Sequence, residues 1–150
     1  MARTLILLVF LAITLGGGAL VGMNFPADAW YDSLNKPFYS PPNWLFGVVW
    51  PVLYVLIAIA GWRVFTSEGD VPGWGLWVVQ MIGNFAWPAL FFGAQMIGWA
   101  IWLILGTLAV SLTFIAVTWE HDRIAALCFW PYALWLGFAS LLNIGFWVVN

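Results

Sequence analysis

This chain has very few charged residues. Its 150 residues include 4 Lys and Arg and 6 Asp and Glu, while 65% are hydrophobic and the mean hydropathy is +0.99. A soluble domain is about 25% charged. The composition therefore excludes a water-soluble globular domain and predicts a protein that lies in a lipid bilayer. The net charge of −2 leaves no basic surface for a phosphate backbone, which excludes nucleic acid as a partner.

Cysteine and histidine are also scarce. The chain has Cys128 and His121 as its only residues of those types. A single cysteine forms no intrachain disulfide, and a single histidine builds no histidine-rich metal site, so we predict no metal centre. The sequence likewise has no nucleotide-binding fingerprint.

The positions of the charges divide the chain into apolar stretches. Four intervals carry no Asp, Glu, Lys or Arg: 4–27, 37–62, 71–119 and 124–150. About 20 residues of helix cross a bilayer, so the third interval holds two spans, with a break at 92–95. We predict an all-α integral membrane fold, a bundle of five transmembrane helices in one domain covering residues 1–150. The predicted spans are 4–23, 44–65, 74–92, 96–119 and 124–148.

The predicted spans hold no charged residue near their middles. This argues against ion-coupled pumps, retinal proteins and voltage sensors, each of which needs an ionisable group inside the membrane. The linkers 66–73 and 120–123 are predicted to be solvated turns, with His121 exposed in the second. Arg3, Arg63 and Arg123 lie on the N-terminal side and Lys36 on the other, which by charge counting favours a cytoplasmic N-terminus.

Residues 24–43 form a loop rich in proline and aromatic residues. Because prolines limit backbone freedom, we predict a structured lid over an opening between helices. The alternative is an ordinary interfacial belt of aromatic side chains. Prolines also fall in or near three spans, at Pro51, Pro88 and Pro131, where they would bend the helices and open space between them.

Polar and aromatic side chains share faces on three spans. They are Trp50 and Tyr54 on the second, Gln80, Asn84, Trp87 and Phe91 on the third, and Trp135, Ala139, Leu142 and Asn143 on the fifth. If these faces meet, they form a pocket for a flat, apolar, weakly polar ligand such as a porphyrin or a sterol. The alternatives are amides that hydrogen-bond helices together and tryptophans that anchor the chain at the interface.

Several motifs resemble one known family. They are Trp30-Tyr31-x-x-Leu34-x-Lys36-Pro37-x-x-x-Pro41-Pro42, Phe46-x-x-Val49-Trp50-x-x-Leu53-Tyr54, Gln80-x-x-x-Asn84-x-x-Trp87, Phe91-Phe92-Gly93 and Pro131-Tyr132-x-x-Trp135-x-x-x-Ala139-x-x-Leu142-Asn143. Together they resemble the tryptophan-rich sensory proteins (TspO), whose animal members are called translocator protein or peripheral benzodiazepine receptor. The resemblance covers residues 24–150.

The resemblance implies a five-helix bundle, commonly a homodimer, in a bacterial or organelle membrane. It implies binding of porphyrins such as protoporphyrin IX, and of benzodiazepine-type ligands, beneath the first loop. The pocket residues it implies are Tyr31, Pro41, Trp50, Tyr54, Asn84, Trp87, Trp135 and Ala139. Trp30 of the first motif and Asn143 of the last complete the predicted ligand-binding set. In some bacterial members the tryptophans that match Trp50 and Trp135 are implicated in light-dependent porphyrin breakdown, which makes these two the candidate catalytic residues.

Two features depart from the family. No basic residue follows Arg123, so the cholesterol motif at the end of the fifth helix is absent and sterol binding by that motif is not expected. The family orientation, with the N-terminus outside, also opposes the arginine count.

Three functions stay open. The first is a porphyrin-binding sensor or carrier. The second is a regulatory or structural subunit of a larger membrane complex, suggested by the helix-packing spacings Gly18-x-x-x-Gly22, Ala94-x-x-x-Gly98 and Ala133-x-x-x-Gly137. The third is an enzyme that photodegrades porphyrins. In each case membrane lipids surround the protein.

Overall fold

The computed structural model describes residues 2–67 and 72–150, and within these ranges the chain is helical and has no β-strand. Five of the described helices are long and apolar enough to span a membrane. The helices are α1 (Ala2–Asn24), the short α2 (Ala29–Ser33), α3 (Asn43–Thr66), α4 (Trp74–Gly93), α5 (Ile97–Thr118) and α6 (Arg123–Val149). The chain is an integral membrane protein, and the predicted five-helix fold is confirmed.

Each predicted span coincides with one of the long helices to within a few residues. The break predicted at 92–95 separates α4 from α5, and Gln95 takes a positive φ of 57° there. The predicted lid contains α2, whose N-terminus is capped by Asp28: its carboxylate accepts hydrogen bonds from the backbone N–H groups of Trp30 and Tyr31. The predicted linker 66–73 includes residues 68–71, which lie outside the described residues.

Two of the long helices contain a widened, π-helical turn. In α4 the turn covers residues 89–93 and directly follows Pro88, whose ring nitrogen has no hydrogen to donate to the helix. In α1 the turn covers residues 12–16 and ends at Gly16, the first of three consecutive glycines. Pro51 and Pro131 lie inside α3 and α6. Each of these prolines removes one backbone hydrogen bond from its helix, and each π-helical turn is a local break in regular α-helical geometry.

The half of the bundle near the N-terminus is tightly packed, and we call it the arginine side because Arg3, Arg63 and Arg123 lie there. The Phe10 ring of α1 meets Trp77 of α4 edge to face, with 4.9 Å between ring centroids. The Trp77 indole donates to the carbonyl of Ile57 in α3 at 2.9 Å. A glycine at position 61 makes room for both rings, since a Cβ atom there would collide with them.

An ion pair joins two helices on the arginine side. The Arg63 guanidinium of α3 contacts both carboxylate oxygens of Asp122 at 2.9 Å, and this carboxylate also caps α6 by accepting from the N–H of Ala125. The side chain of Asp122 is only 9% exposed. The prediction of a solvated turn at 120–123 is therefore wrong for Asp122, because burial and pairing with Arg63 remove it from solvent. His121 is exposed, as predicted.

Candidate functional site

The opposite half of the bundle, the lid side, encloses a cavity of about 460 Å³. All five long helices and the lid contribute to its walls. Among the described residues, those that line the cavity include no charged side chain. Its volume lies in the range of about 300–1,000 Å³ that small-molecule sites occupy.

Most of the predicted ligand-binding residues line this cavity. They are Tyr31, Trp50, Tyr54, Asn84, Trp87, Trp135, Ala139 and Asn143. Two predicted residues lie outside its lining. Trp30 packs edge to face on Phe91 at 5.8 Å, and Pro41 is half-buried in the loop before α3.

Three tryptophan rings from three helices line the cavity. Trp50 lies 5.3 Å from the ring of Tyr54 and meets Trp135 nearly at right angles, with 6.5 Å between centroids. Trp87 stacks on Phe91 at 4.8 Å with an interplanar angle of 20°. Flat π surfaces of this kind favour contact with a flat, apolar ligand.

An amide at the base of the cavity links three helices. Asn84 of α4 accepts a hydrogen bond from the Tyr54 hydroxyl of α3 and donates one to the Tyr132 hydroxyl of α6, both at 2.9 Å. Tyr132 is fully buried. Asn84 therefore hydrogen-bonds neighbouring helices together and also forms part of the cavity wall. For this residue the two roles considered in the sequence analysis are compatible.

Asn143 holds a second set of hydrogen bonds higher in the cavity. It accepts from the indole N–H of Trp87 at 3.0 Å and donates to the carbonyl of Ile97 at 3.1 Å. This fixes the Trp87 ring in the wall. The indole N–H of Trp135 is buried but has no hydrogen-bond partner among the described residues, and so it can donate to a molecule in the cavity.

Gln80 lies one helical turn further from the lid than Asn84. Its side chain is fully buried, does not line the cavity, and has no hydrogen-bond partner for its amide among the described residues. The predicted polar face of the third span is thus divided: Asn84, Trp87 and Phe91 face the cavity, and Gln80 lies in the packed interior.

The lid closes the cavity through a buried aromatic residue. Tyr31 of α2 is 5% exposed, and its ring contacts Phe92 and Phe146, each at 5.5 Å between centroids. Burial, with a smaller effect from the negative charge of Asp32, raises the pKa of the Tyr31 hydroxyl above its usual value. The Lys36 ammonium lies 4.7 Å above the same ring and 3.7 Å from the Asp32 carboxylate. Tyr31 therefore stays neutral at physiological pH.

The far end of the lid is fastened to the end of α6 by three residues that we call the latch: Asn35, Tyr39 and Asn150. The side chain of Asn150 accepts from the backbone N–H of Asn35 at 2.9 Å and donates to its carbonyl at 3.0 Å. The Asn35 amide donates to the Val149 carbonyl, and the Tyr39 hydroxyl donates to the Leu141 carbonyl. The lid is thus an ordered structure bonded to α6, as its prolines predict.

Sequence reasoning missed the contribution of α1. Its second half supplies Leu15, Gly18, Ala19, Val21 and Gly22 to the cavity lining, and Phe25 follows directly after the helix. The spacing Gly18-x-x-x-Gly22 was interpreted as a helix-packing motif. A Cβ at Gly18 would indeed collide with the Tyr54 ring, whereas at Gly22 it would meet nothing within 4 Å. One glycine admits a neighbouring ring, and the other leaves space in the cavity.

These features define a class of protein: a five-helix membrane protein with a tryptophan-lined cavity beneath an ordered lid. Comparison with known proteins gives the family. The TspO/MBR family profile matches residues 6–148. The chain belongs to the TspO/MBR family.

Named relatives come from bacteria and mammals. Protein CrtK of Rhodobacter capsulatus is 38% identical over 155 aligned residues, which cover all of this chain and 95% of that protein. The human translocator protein is 36% identical over 143 residues, covering 89% of this chain and 83% of the relative. The tryptophan-rich sensory protein of Cereibacter sphaeroides is 34% identical over 140 residues, with 91% and 85% covered.

Proposed function

We propose that this protein binds a porphyrin-type tetrapyrrole, such as protoporphyrin IX, in the lid-side cavity and acts as a sensor or carrier for it. The observation that carries the proposal is the convergence of Trp50, Trp87 and Trp135 on one uncharged cavity. Aromatic rings in the walls, together with the amides of Asn84 and Asn143, suit a ligand that is flat, largely apolar and polar at its edges.

The residues present fit the ring of such a ligand. Trp50 and Trp135 offer ring surfaces to it, and so do the stacked Trp87 and Phe91. The indole N–H of Trp135 provides a donor that no described residue uses. When bound, a porphyrin would supply strong visible absorption and photochemistry, and the protein would supply position and exclusion of water.

The carboxylates of a porphyrin must lie near the mouth. Burying an unpaired carboxylate among uncharged walls is costly, so these groups would point toward the lid. Lys36 lies there, against Tyr31 of the cavity wall. We therefore expect the ring to enter the cavity with its carboxylates near Lys36.

Titration of the purified protein with protoporphyrin IX in the dark tests the proposal. We expect saturable one-site quenching of tryptophan fluorescence and a shifted Soret band, both weakened at least tenfold in the double variant Trp50→Phe, Trp135→Phe. Trp44→Phe is the matched control, because this exposed tryptophan lies on the same helix as Trp50 but outside the cavity. Linear quenching that is equal in all three proteins would show partitioning into detergent and would exclude the proposal.

A second candidate function is light-dependent oxidation of the porphyrin by dioxygen. The observation that favours it is the 6.5 Å separation of Trp50 and Trp135, which brings two oxidisable indoles to the same cavity wall. Under illumination in air, we expect a new absorption product with this protein and no such product with the Trp50→Phe, Trp135→Phe variant. Bleaching at equal rates with both proteins would leave binding alone as the function.

The third function is that of a subunit of a larger complex, and it was suggested by three helix-packing spacings. Some of these small residues pack within the chain, so they give this function less support than the sequence alone suggested. Gly18 packs against Tyr54 of the same chain, and Gly98 packs against Trp147. Ala94 lies before the start of α5. Contacts within the chain therefore account for Gly18 and Gly98, whereas a Cβ at Gly22 or at Gly137 would meet nothing within 4 Å.

A further inference from the structure

A second concave surface lies on the arginine side, on the outside of the bundle. It is a groove of about 340 Å³ between the end of α5 and the first turns of α6, lined by Leu112, Ile115, Ala116, Trp119 and Trp130. Two of these side chains, Leu112 and Trp130, are 44% and 40% exposed. The groove shares no lining residue with the lid-side cavity. Because it opens outward from membrane-spanning helices, its natural surroundings are lipid.

A cation lies at the end of this groove. The guanidinium carbon of Arg123 is 4.7 Å from the ring centroid of Trp119, which lines the groove where α5 ends. Arg123 is exposed and is the first residue of α6. From Trp119 to Leu112 the groove follows about 10 Å of helix, at about 1.5 Å per residue. A guanidinium at one end and apolar walls along the remainder match the two parts of a phospholipid.

Among the described residues, no acidic side chain forms an ion pair with the Arg123 guanidinium, which can therefore pair with an anion. Asp122 is engaged by Arg63 and by the N–H of Ala125. Glu120 is exposed and is the remaining acidic residue of the turn. His121 is also exposed, with Nδ1 3.0 Å from the carbonyl oxygen of Val117. Glu120 should therefore weaken, and not abolish, attraction of an anion to Arg123.

We propose that this groove binds an anionic phospholipid, with the phosphate paired to Arg123 and the upper part of one acyl chain lying against Trp119 and Trp130. Arginine binds phosphate through a planar fork of N–H groups, and tryptophan favours the membrane interface. A headgroup without its own cation leaves the phosphate charge uncompensated, so an anionic lipid is preferred over a zwitterionic one. This site is independent of the proposed porphyrin site.

Native mass spectrometry of the purified protein tests the site directly. The protein is mixed with phosphatidylglycerol or with phosphatidylcholine carrying the same acyl chains. We expect phosphatidylglycerol to be retained about fivefold more strongly, the factor that one basic residue near a membrane surface supplies. In Arg123→Gln this preference should fall to about one, and in Glu120→Gln it should rise.

Two further variants separate a groove from a simple surface charge. Ala116→Trp fills the groove without changing any charge and should lower retention of both lipids. Lys36→Gln removes a cation from the other side of the membrane and should leave the preference for phosphatidylglycerol over phosphatidylcholine unchanged, whatever its effect on porphyrin binding. Equal retention of the two lipids by the unmodified protein would overturn the proposal, as would an unchanged preference in Arg123→Gln. If Arg123→Gln removes the preference for phosphatidylglycerol but Ala116→Trp leaves retention unchanged, the lipid is held by surface charge alone. The groove is then not its binding site.

Discussion

Aromatic residues are abundant in both halves of the bundle, but they fill the interior of one half and surround a cavity in the other. On the arginine side aromatic rings fill the interior: Phe114 and Phe129 stack at 4.0 Å, and Trp77 lies against Phe10 and Gly61. On the lid side the rings of Trp50 and Trp87 stand around a cavity. The two halves differ in the glycines, prolines and polar groups between their helices. As a result the arginine side is packed and the lid side contains a cavity.

Glycine illustrates the contrast within a single helix. Gly61 and Gly47 both belong to α3. A Cβ at Gly61 would collide with Trp77 and Phe10, whereas at Gly47 it would meet nothing within 4 Å and would extend into the cavity. The same residue type therefore permits tight packing at one end of α3 and open space at the other.

The largest effect expected from this contrast is on stability. Gly61→Leu should destabilise the protein by about 3 kcal/mol, because the side chain overpacks a filled interior and displaces two aromatic rings. Thermal unfolding in detergent, followed by circular dichroism, measures this change. A melting temperature equal to that of the unmodified protein would show that the arginine side is loosely packed.

Gly47→Leu is the matched change on the lid side. Its melting temperature should stay the same or rise slightly, since leucine favours helix and enters open space. Its affinity for protoporphyrin IX should fall, because the new side chain occupies part of the cavity. If Gly47→Leu unfolds as readily as Gly61→Leu, the cavity is not open space in the protein.

The sequence predicts much of this organisation. Charge-free intervals locate the helices because a charged side chain is costly in the hydrocarbon core of a bilayer. The lining residues of α3, α4 and α6 are found because polar and aromatic residues at helical spacing mark a face turned away from lipid. The α1 residues that line the cavity are not found, since Gly22 and Ala19 carry no polar group. The sequence alone does not distinguish a glycine that lines a cavity from a glycine that packs against a neighbouring helix. Pairing of Arg63 with Asp122, which are 59 positions apart, depends on helix arrangement and leaves no local pattern.

A smaller effect is expected from the two aspartates that cap helices. Asp122 on the arginine side caps α6 and also pairs with Arg63, whereas Asp28 on the lid side caps only the five-residue α2. Asp122→Ala should cost about 2 kcal/mol, since it removes a cap and leaves a half-buried guanidinium without its partner. Asp28→Ala should leave the melting temperature of the bundle unchanged and increase hydrogen exchange in α2 only. Equal losses of stability in the two variants would mean that the lid is part of the cooperative core.

The smallest effect on stability, and a distinct effect on kinetics, is expected at the latch. Asn150→Ala removes both hydrogen bonds between Asn150 and the backbone of Asn35, and these groups are exposed. Because exposed bonds contribute about 0.5–1.5 kcal/mol each, the bundle should keep its melting temperature while the lid opens about tenfold more often. Hydrogen exchange of the lid amides reports this opening whether or not a ligand binds. With protoporphyrin IX bound, its dissociation measured by stopped-flow displacement should accelerate by a similar factor.

The control for the latch is Phe38→Ala in the same loop. Phe38 is 99% exposed, and its one ring contact among the described residues is with Tyr39 of the latch. The Tyr39 hydroxyl keeps its hydrogen bond to the Leu141 carbonyl in this variant, so neither exchange nor dissociation should change. If Asn150→Ala accelerates exchange but leaves dissociation unchanged, the ligand leaves by a path that the lid does not control. The exposed lining residues Gly22 and Gly47 belong to α1 and α3, so such a path would run between these two helices. The hollow half of the bundle would then exchange its ligand with the bilayer directly.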